Sequence, residues 1–428
     1  MRLMIRMKNL RSSSILFLLL LISYSGFSTK LLVPMDSDQA NHLKAYGIAF
    51  WSLERDVEVQ WLLNYRGGSF MIDAYKEIES ELVIRGVTYE TIPDARAASI
   101  LLEISNPEIN QDAVKLEKAP KIAVYSPKSA QPWDDAVTLV LTYAEIPYDV
   151  IYDDEIINGN LHLYDWLHLH HEDFTGQYGK FYGSYRNAKW YQDQVKEFET
   201  TAARLGFAKV SDLKLAVALR IKEYTSGGGF LFSMCSGTDS YDIAISAEGV
   251  DICESMFDGD PADPNAQQKI DFGQGFAFEN YQLSQNPIEY EFSSIDGTMS
   301  HNRAGQKQDF FTLFDFSAKW DPVPTMLCQN HETIIKGFMG QTTSYNLKYI
   351  KPNVLVLADN KGIGTAKYIH GEFGKGQWTF YGGHDPEDYQ HFVGDPPTDL
   401  NLHPNSPGYR LILNNVLFPA AKKKKQKT

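Results

Sequence analysis

The sequence predicts an α/β protein with a mostly parallel sheet and helices on both faces. A small N-terminal α/β unit precedes that sheet and a loop-rich insertion interrupts it. Three observations carry this reading. Short β-type runs alternate with helical periodicity over residues 119–250, the pattern of parallel strands joined by crossover helices. The alternation lapses over 251–350 and resumes over 351–420. With 43% hydrophobic and 13% aromatic residues among 428, the chain can fill a core of that size.

Residues 1–28 read as a secretory signal. Arg2, Arg6, Lys8 and Arg11 form a basic head, Ile15–Ile22 is a short apolar run, and Gly26-Phe27-Ser28 offers small residues for cleavage. The protein is therefore expected to be exported, periplasmic or extracellular. The run falls short of the ~20 residues a membrane span needs, and no integral membrane segment is expected after cleavage. Without this segment, the 40 Lys and Arg fall by four to 36 against 54 Asp and Glu, a net charge of −18. Such a surface repels nucleic acid, which is excluded as a partner. The basic tail 421–428, with Lys422–Lys425, reads as a solvated terminus.

The N-terminal unit, 29–118, is expected to hold strands at Leu31–Pro34, Val57–Asn64, Ser69–Asp73 and Val87–Ile92. Its helices are expected at Asp38–Glu54, Ala74–Arg85 and Asp94–Ile104. Arg66-Gly67-Gly68 marks a turn. In the first part of the main domain, 119–250, strands are expected at Lys121–Tyr125, Tyr148–Tyr152, Tyr164–Leu169 and Phe230–Ser233. The helices between them are Asp134–Glu145, Lys189–Arg204 and Ser211–Tyr224. Tyr241–Ile245 reads as the opening of another helix. Residues 251–350 read as an insertion covering the sheet edge, with the acidic Asp258, Asp260 and Asp263 on a solvated loop that lacks calcium-loop spacing. The last part, 351–420, begins with a strand near Asn353–Leu357. A hairpin, Tyr368–Phe373 and Gln377–Tyr381, turns at Gly374-Lys375-Gly376, and the helix Tyr409–Leu417 closes the domain.

Working residues in such sheets collect at the carboxyl ends of the strands. Three groups fall there. Cys235 stands where the strand after Gly227-Gly228-Gly229 ends and a helix begins. A helix N-terminus favours thiolate, and the Ser236 amide would supply half of an oxyanion hole. His384 follows Gly382-Gly383, with Asp385, Glu387 and Asp388 near enough to orient an imidazole. The run His168, His170, His171, Glu172 and Asp173 would line the pocket, and the Phe174–Gly176 loop, through Thr175 and Gly176, would add oxyanion amides. The same imidazoles and carboxylates are dense enough to bind zinc, although their spacing matches no closed zinc motif. If Cys253 paired with Cys328, Cys235 would be the thiol left over.

The elbow Phe232-Ser233-Met234-Cys235-Ser236-Gly237 with the later Gly383-His384-Asp385-Pro386-Glu387 resembles a class I glutamine amidotransferase-like domain. The likeness covers roughly 119–250 and 350–418. It implies a flavodoxin-like sheet and a Cys-His-Glu triad, with Cys235 as nucleophile, His384 as base and Glu387 as orienting acid. The family reads His-x-Glu; here Glu387 follows His384 by three residues and Asp385 is adjacent, so either carboxylate is the third member. The chain as a whole also resembles secreted bacterial proteins labelled asparagine synthetase B, including the stretch Phe392–Pro397. Those synthetases carry a pyrophosphate loop Ser-Gly-Gly-x-Asp-Ser. Ser236-Gly237-Thr238-Asp239-Ser240 is one residue shorter.

These features favour a cysteine-dependent hydrolase acting on a small-molecule or peptide amide and needing no cofactor. Three alternatives stay open. One is a non-enzymatic binding protein whose ligand surface uses Trp166, Tyr178, Phe181, Tyr182 and Trp190. Another is a metal-dependent hydrolase using zinc at His168–Asp173. The last is an ATP-dependent ligase, as the family label implies.

Overall fold

Apolar runs along the chain pair into two sheets. The computed structural model describes residues 29–127, 135–321, 324–392 and 394–421; the expected signal segment and all of the basic tail after Ala421 lie outside them. The N-terminal unit is a five-stranded antiparallel sheet of β1 (Thr29–Val33), β2 (Val59–Leu63), β3 (Ser69–Asp73), β4 (Glu90–Pro93) and β5 (Asp112–Leu116), in the order β4-β1-β3-β2-β5. The edge strand β5 has no counterpart in the sequence reading. It pairs with β2 from Leu116 to Asp112. Its lysine and aspartate mask the alternation that would mark a strand.

The helix His42–Leu53 of this unit is buried over nearly its whole length. Its start is fixed by Asn41, whose side chain accepts the Lys44 amide at 2.9 Å. It crosses the helix Ala136–Ala144 at Gly47, where a Cβ would collide with the Ala144 carbonyl. One apolar cluster runs from Leu31, Trp61 and Phe70 through Val137 and Val140 to Phe232 and Leu413. The small sheet is therefore joined to the main one through a shared core.

The main sheet contains β6 (Ile122–Tyr125), β7 (Asp149–Ile151), β8 (Trp166–Leu169), β9 (Phe230–Met234), β10 (Phe310–Leu313), β11 (Ile334–Lys336), β12 (Tyr345–Asn346), β13 (Leu355–Asn360), β14 (Thr365–Phe373) and β15 (Gly376–Tyr381). Its order is β11-β10-β13-β14-β15-β9-β8-β6-β7, with β12 paired to β14. The sheet is mixed. From β15 to β7 it is parallel, and from β11 to β15 it is antiparallel. The stretch 251–350 thus does more than cover an edge, since β10 and β11 widen the sheet and β12 pairs with β14.

Side chains of the parallel strands alternate between two covered faces. Ile122, Val124, Trp166 and Phe232 face the helices Ala136–Ala144 and Pro407–Leu417. Ala123, Leu167, Leu169 and Leu231 face the helices Val210–Gly227 and Ser236–Ser246. Burial on both faces explains why these strands read as continuous apolar runs. Register places Leu169 beside Ser233, and Met234 beside Tyr381. The chain after β8, β9 and β15 therefore leaves the sheet at one edge. Among the described residues no helix is long and apolar enough to cross a membrane. Cys235, Cys253 and Cys328 are all free thiols, so Cys253 and Cys328 are not paired.

Candidate active site

β9 passes into the helix Ser236–Ser246 through the single residue Cys235, whose φ of 53° and ψ of −141° lie outside the regions L-residues favour. One close approach allows so sharp a junction. Gly237 donates its amide to the His170 carbonyl at 2.6 Å, and any Cβ on Gly237 would overlap that oxygen. The turn aims the thiol at the floor of a cavity of about 360 Å³. Cys235 Sγ accepts the Gln341 amide at 3.3 Å. Burial raises the thiol above its ordinary value, while the Thr342, Gln341 and Ser236 amides act the other way.

The cavity is also lined by His171, His384 and His391, with Phe181, Tyr185, Tyr290 and Gln341 around them. His384 leaves β15 after Gly382-Gly383 and stacks on His391 at 4.8 Å between centroids. The His170 ring lies 4.6 Å away, edge to face. Burial, then the neighbouring His170, His171 and His391, hold His384 far below the usual imidazole range, so it is neutral near pH 7. Neither of its ring nitrogens has a hydrogen-bond partner. Cys235 and His384 therefore share a cavity without a direct hydrogen bond between them.

The carboxylates next to His384 are engaged elsewhere. Glu387 lies 3.1 Å from His403 Nδ1. Asp385 accepts the Glu387 amide at 2.9 Å and the Thr398 hydroxyl at 2.8 Å. Neither reaches the His384 ring. Deeper in, Asp135 caps the helix Ala136–Ala144 by accepting the Val137 and Thr138 amides. Its other contacts are His168 Nε2 and His170 Nδ1, each 3.2 Å away. Burial opposes its charge, yet the two imidazoles hold Asp135 well below the usual carboxylate range. In the sequence this carboxylate falls within the expected helix Asp134–Glu145 and carries no motif of its own.

The rest of the His168–Gly176 run points away from the cavity. Glu172 accepts from Tyr152 at 3.2 Å, near the buried Lys214–Asp153 pair, and burial lifts it to about 7. Asp173 accepts the Thr175 amide and hydroxyl and the Gly179 amide. The Thr175 amide is thus already used. Gly176 packs on Ser211, and Thr175 lines a separate depression with Cys253. Besides Ser236, the amides facing the thiol come from Gln341 and Thr342, inside the stretch 251–350, with no local signal to announce them. Of the expected aromatic surface, Phe181 reaches the cavity, while Trp166 is in the core at 1% exposure. Asp258 has a buried side chain, and with Asp251 and the exposed Asp260 it converges on Lys209. Ser236–Ser240, compared above with a pyrophosphate loop, forms the fully buried first turns of a helix.

A second constellation has the residue types of a serine hydrolase. Ser344 Oγ is 2.7 Å from His301 Nε2, and Asp309 is 2.8 Å from His301 Nδ1. Ser344 is wholly buried, however, and Thr365 shares the same ring nitrogen at 3.1 Å. None of the three lines the cavity. They clamp the loop that carries Gln341 and Thr342.

No family model matches the chain, and no curated protein matches it. Solved structures give remote likenesses. Cytoplasmic Protein STM3548 from Salmonella typhimurium is 10% identical, with 71% of this chain and 100% of that one covered and a TM-score of 0.36. Cytoplasmic Protein STM1381 from Salmonella typhimurium LT2 is 12% identical over 71% and 100%, with a TM-score of 0.31. A beta-galactosidase from Bacillus circulans sp. alkalophilus is 11% identical over 64% of this chain and 29% of that one, with a TM-score of 0.24.

Proposed function

We propose that this chain is a cysteine-dependent hydrolase of amide or related acyl bonds in small molecules or peptides, on an amidotransferase-like core. The observation that carries the reading is the Cys235 elbow. A residue held at positive φ costs ~1–3 kcal/mol and persists where the surroundings demand it, and a merely space-filling cysteine has no such need. Support comes from the parallel strands, whose order β7-β6-β8-β9-β15 is 2-1-3-4-5 by chain position, that of flavodoxin-like sheets. Further support comes from the edge they share, which carries Cys235, His170 and His384.

In this reading the Cys235 proton passes to neutral His384 once a ligand closes the gap between them. Sγ bonds to the substrate carbonyl carbon, and the developing oxyanion takes hydrogen bonds from the Ser236 and Gln341 amides. The bond to the leaving amine breaks as His384 returns the proton to it. Water then hydrolyses the thioester. Glu387 is not needed, since His384 is held by packing among imidazoles rather than by a carboxylate.

The test is electrophile labelling with peptide mapping, alongside a panel of chromogenic amides and esters. Iodoacetamide at pH 7 is expected to modify Cys235 ahead of Cys253 and Cys328. Cys235→Ala is expected to lower turnover by about 10³-fold or more, and His384→Ala by ~10²–10⁴-fold. A Cys235→Ala protein with undiminished turnover would overturn the assignment.

A further inference from the structure

We infer that His170, His171 and His384 form a binding site for one divalent transition-metal ion of the zinc class, with Asp135 as the outer partner of His170. The three imidazoles come from the carboxyl ends of β8 and β15, the two strands that flank β9. One ring nitrogen from each lies within 4.8 Å of the other two. Tetrahedral zinc with bonds of ~2.05 Å needs nitrogens about 3.3 Å apart, so side-chain adjustments of about an ångström complete the site.

Two further observations point the same way. His170 and His384 are 2% and 7% exposed, yet His170 Nε2 and both His384 ring nitrogens have no hydrogen-bond partner. Buried nitrogens left so are costly, and a cation among them removes the cost. In addition, Asp135 lies 3.2 Å from His170 Nδ1. It holds that side of the ring and leaves Nε2 for a ligand, as outer carboxylates do at metal-bound histidines. An all-imidazole donor set suits zinc, copper or nickel and not magnesium or calcium. His171 and His384 line the cavity, so the remaining coordination position opens toward solvent or a bound molecule.

An imidazole that holds a cation cannot also accept the thiol proton. The zinc-loaded protein is therefore silent as a hydrolase, and chelation restores turnover. This consequence rests on the reading of Cys235 and His384 above; the binding itself does not.

The deciding experiment titrates zinc and cobalt(II) into the chelator-treated full chain by calorimetry and absorption. One equivalent is expected to bind, and the cobalt complex is expected to show low-coordinate d–d bands without thiolate charge transfer. His384→Ala is expected to weaken binding at least about 100-fold, and Asp135→Asn by ~10–100-fold. Asparagine still caps the helix, which keeps that variant folded. His162→Ala, at an exposed histidine, and Cys235→Ala are expected to keep wild-type affinity, so failure of the hydrolase reading leaves this result standing. Absence of zinc binding, or binding of equal strength in His384→Ala and Asp135→Asn, overturns the site.

Discussion

Lys367 shows how one side chain can set the geometry around Cys235. It lies in β14 at 1% exposure, and its Nζ donates to the Phe338 and Thr343 carbonyls. It therefore ties both ends of the loop whose Gln341 amide meets the thiol. Burial lowers its pKa to about 7. In the unfolded chain it would titrate near the ordinary lysine value of ~10.5. Between these values the unfolded state binds more protons, so the Lys367 contribution to stability rises from pH 7 toward pH 10. Lys367→Met keeps the volume and strips both hydrogen bonds. Urea melts are expected to show a loss of roughly 2–3 kcal/mol near pH 10, from two orphaned carbonyls, and a smaller one at pH 8, where the wild type also bears the cost of deprotonating Lys367. The wild type's extra gain between pH 7 and 10 should vanish in the variant. A parallel profile for the two proteins would mean that Lys367 is not held neutral by its surroundings.

At the scale of elements, the junction of β8, β9 and the helix Ser236–Ser246 decides where the thiol sits. Gly237→Ala forces a methyl into the His170 carbonyl. Backbone cannot yield as a side-chain tip does, so a cost of about 3 kcal/mol is expected, at the upper end for an overpacked core. The thermal midpoint should fall, and Cys235 labelling should lose its preference over Cys253 and Cys328. An unchanged midpoint would show that the helix can shift freely against β8. This junction was only partly legible in the sequence. The strand and the cysteine at its end were visible from the apolar run and the glycines before it. The sequence opens the helix at Tyr241, whereas it begins at Ser236, because small polar residues read locally as a turn. Burial overrides that propensity here: Ser240 donates to the Glu172 carbonyl at 3.0 Å and Asp239 accepts from Thr342 at 2.8 Å. Gln341 lies 106 residues from Cys235 and carries no pattern of its own. Its role is a product of the tertiary fold alone.

Over the whole molecule, the point where units meet is a buried cationic knot, which separate readings of 29–118 and 351–420 could not anticipate. Arg410, in the closing helix and 0% exposed, donates to the Met35 carbonyl at 3.0 Å, to the Tyr46 hydroxyl at 2.9 Å and to the Gly67 carbonyl. Beside it His42 stacks on His331 with centroids 4.0 Å apart. These residues come from the small sheet's unit, the stretch 251–350 and the last helix, so the knot binds three parts of the chain. Burial, then the Arg410 charge, holds His42 at about 4, against ~6.5 when unfolded. Between those values the unfolded state binds more protons, so the stability is fully present above pH 6.5 and is lost as pH falls toward 4. For His42 alone the loss is roughly 3 kcal/mol over that window. His42→Gln is expected to lower stability at pH 7 yet to flatten the acid limb of the profile by about that amount. Hydrogen exchange at pH 5 should show the helix His42–Leu53 and the helix Pro407–Leu417 losing protection together, since the charge that forms lies between them. Early exchange of β1–β5 alone, with the closing helix still protected, would show instead that the small sheet opens as an independent unit and that the knot does not couple it to the main sheet.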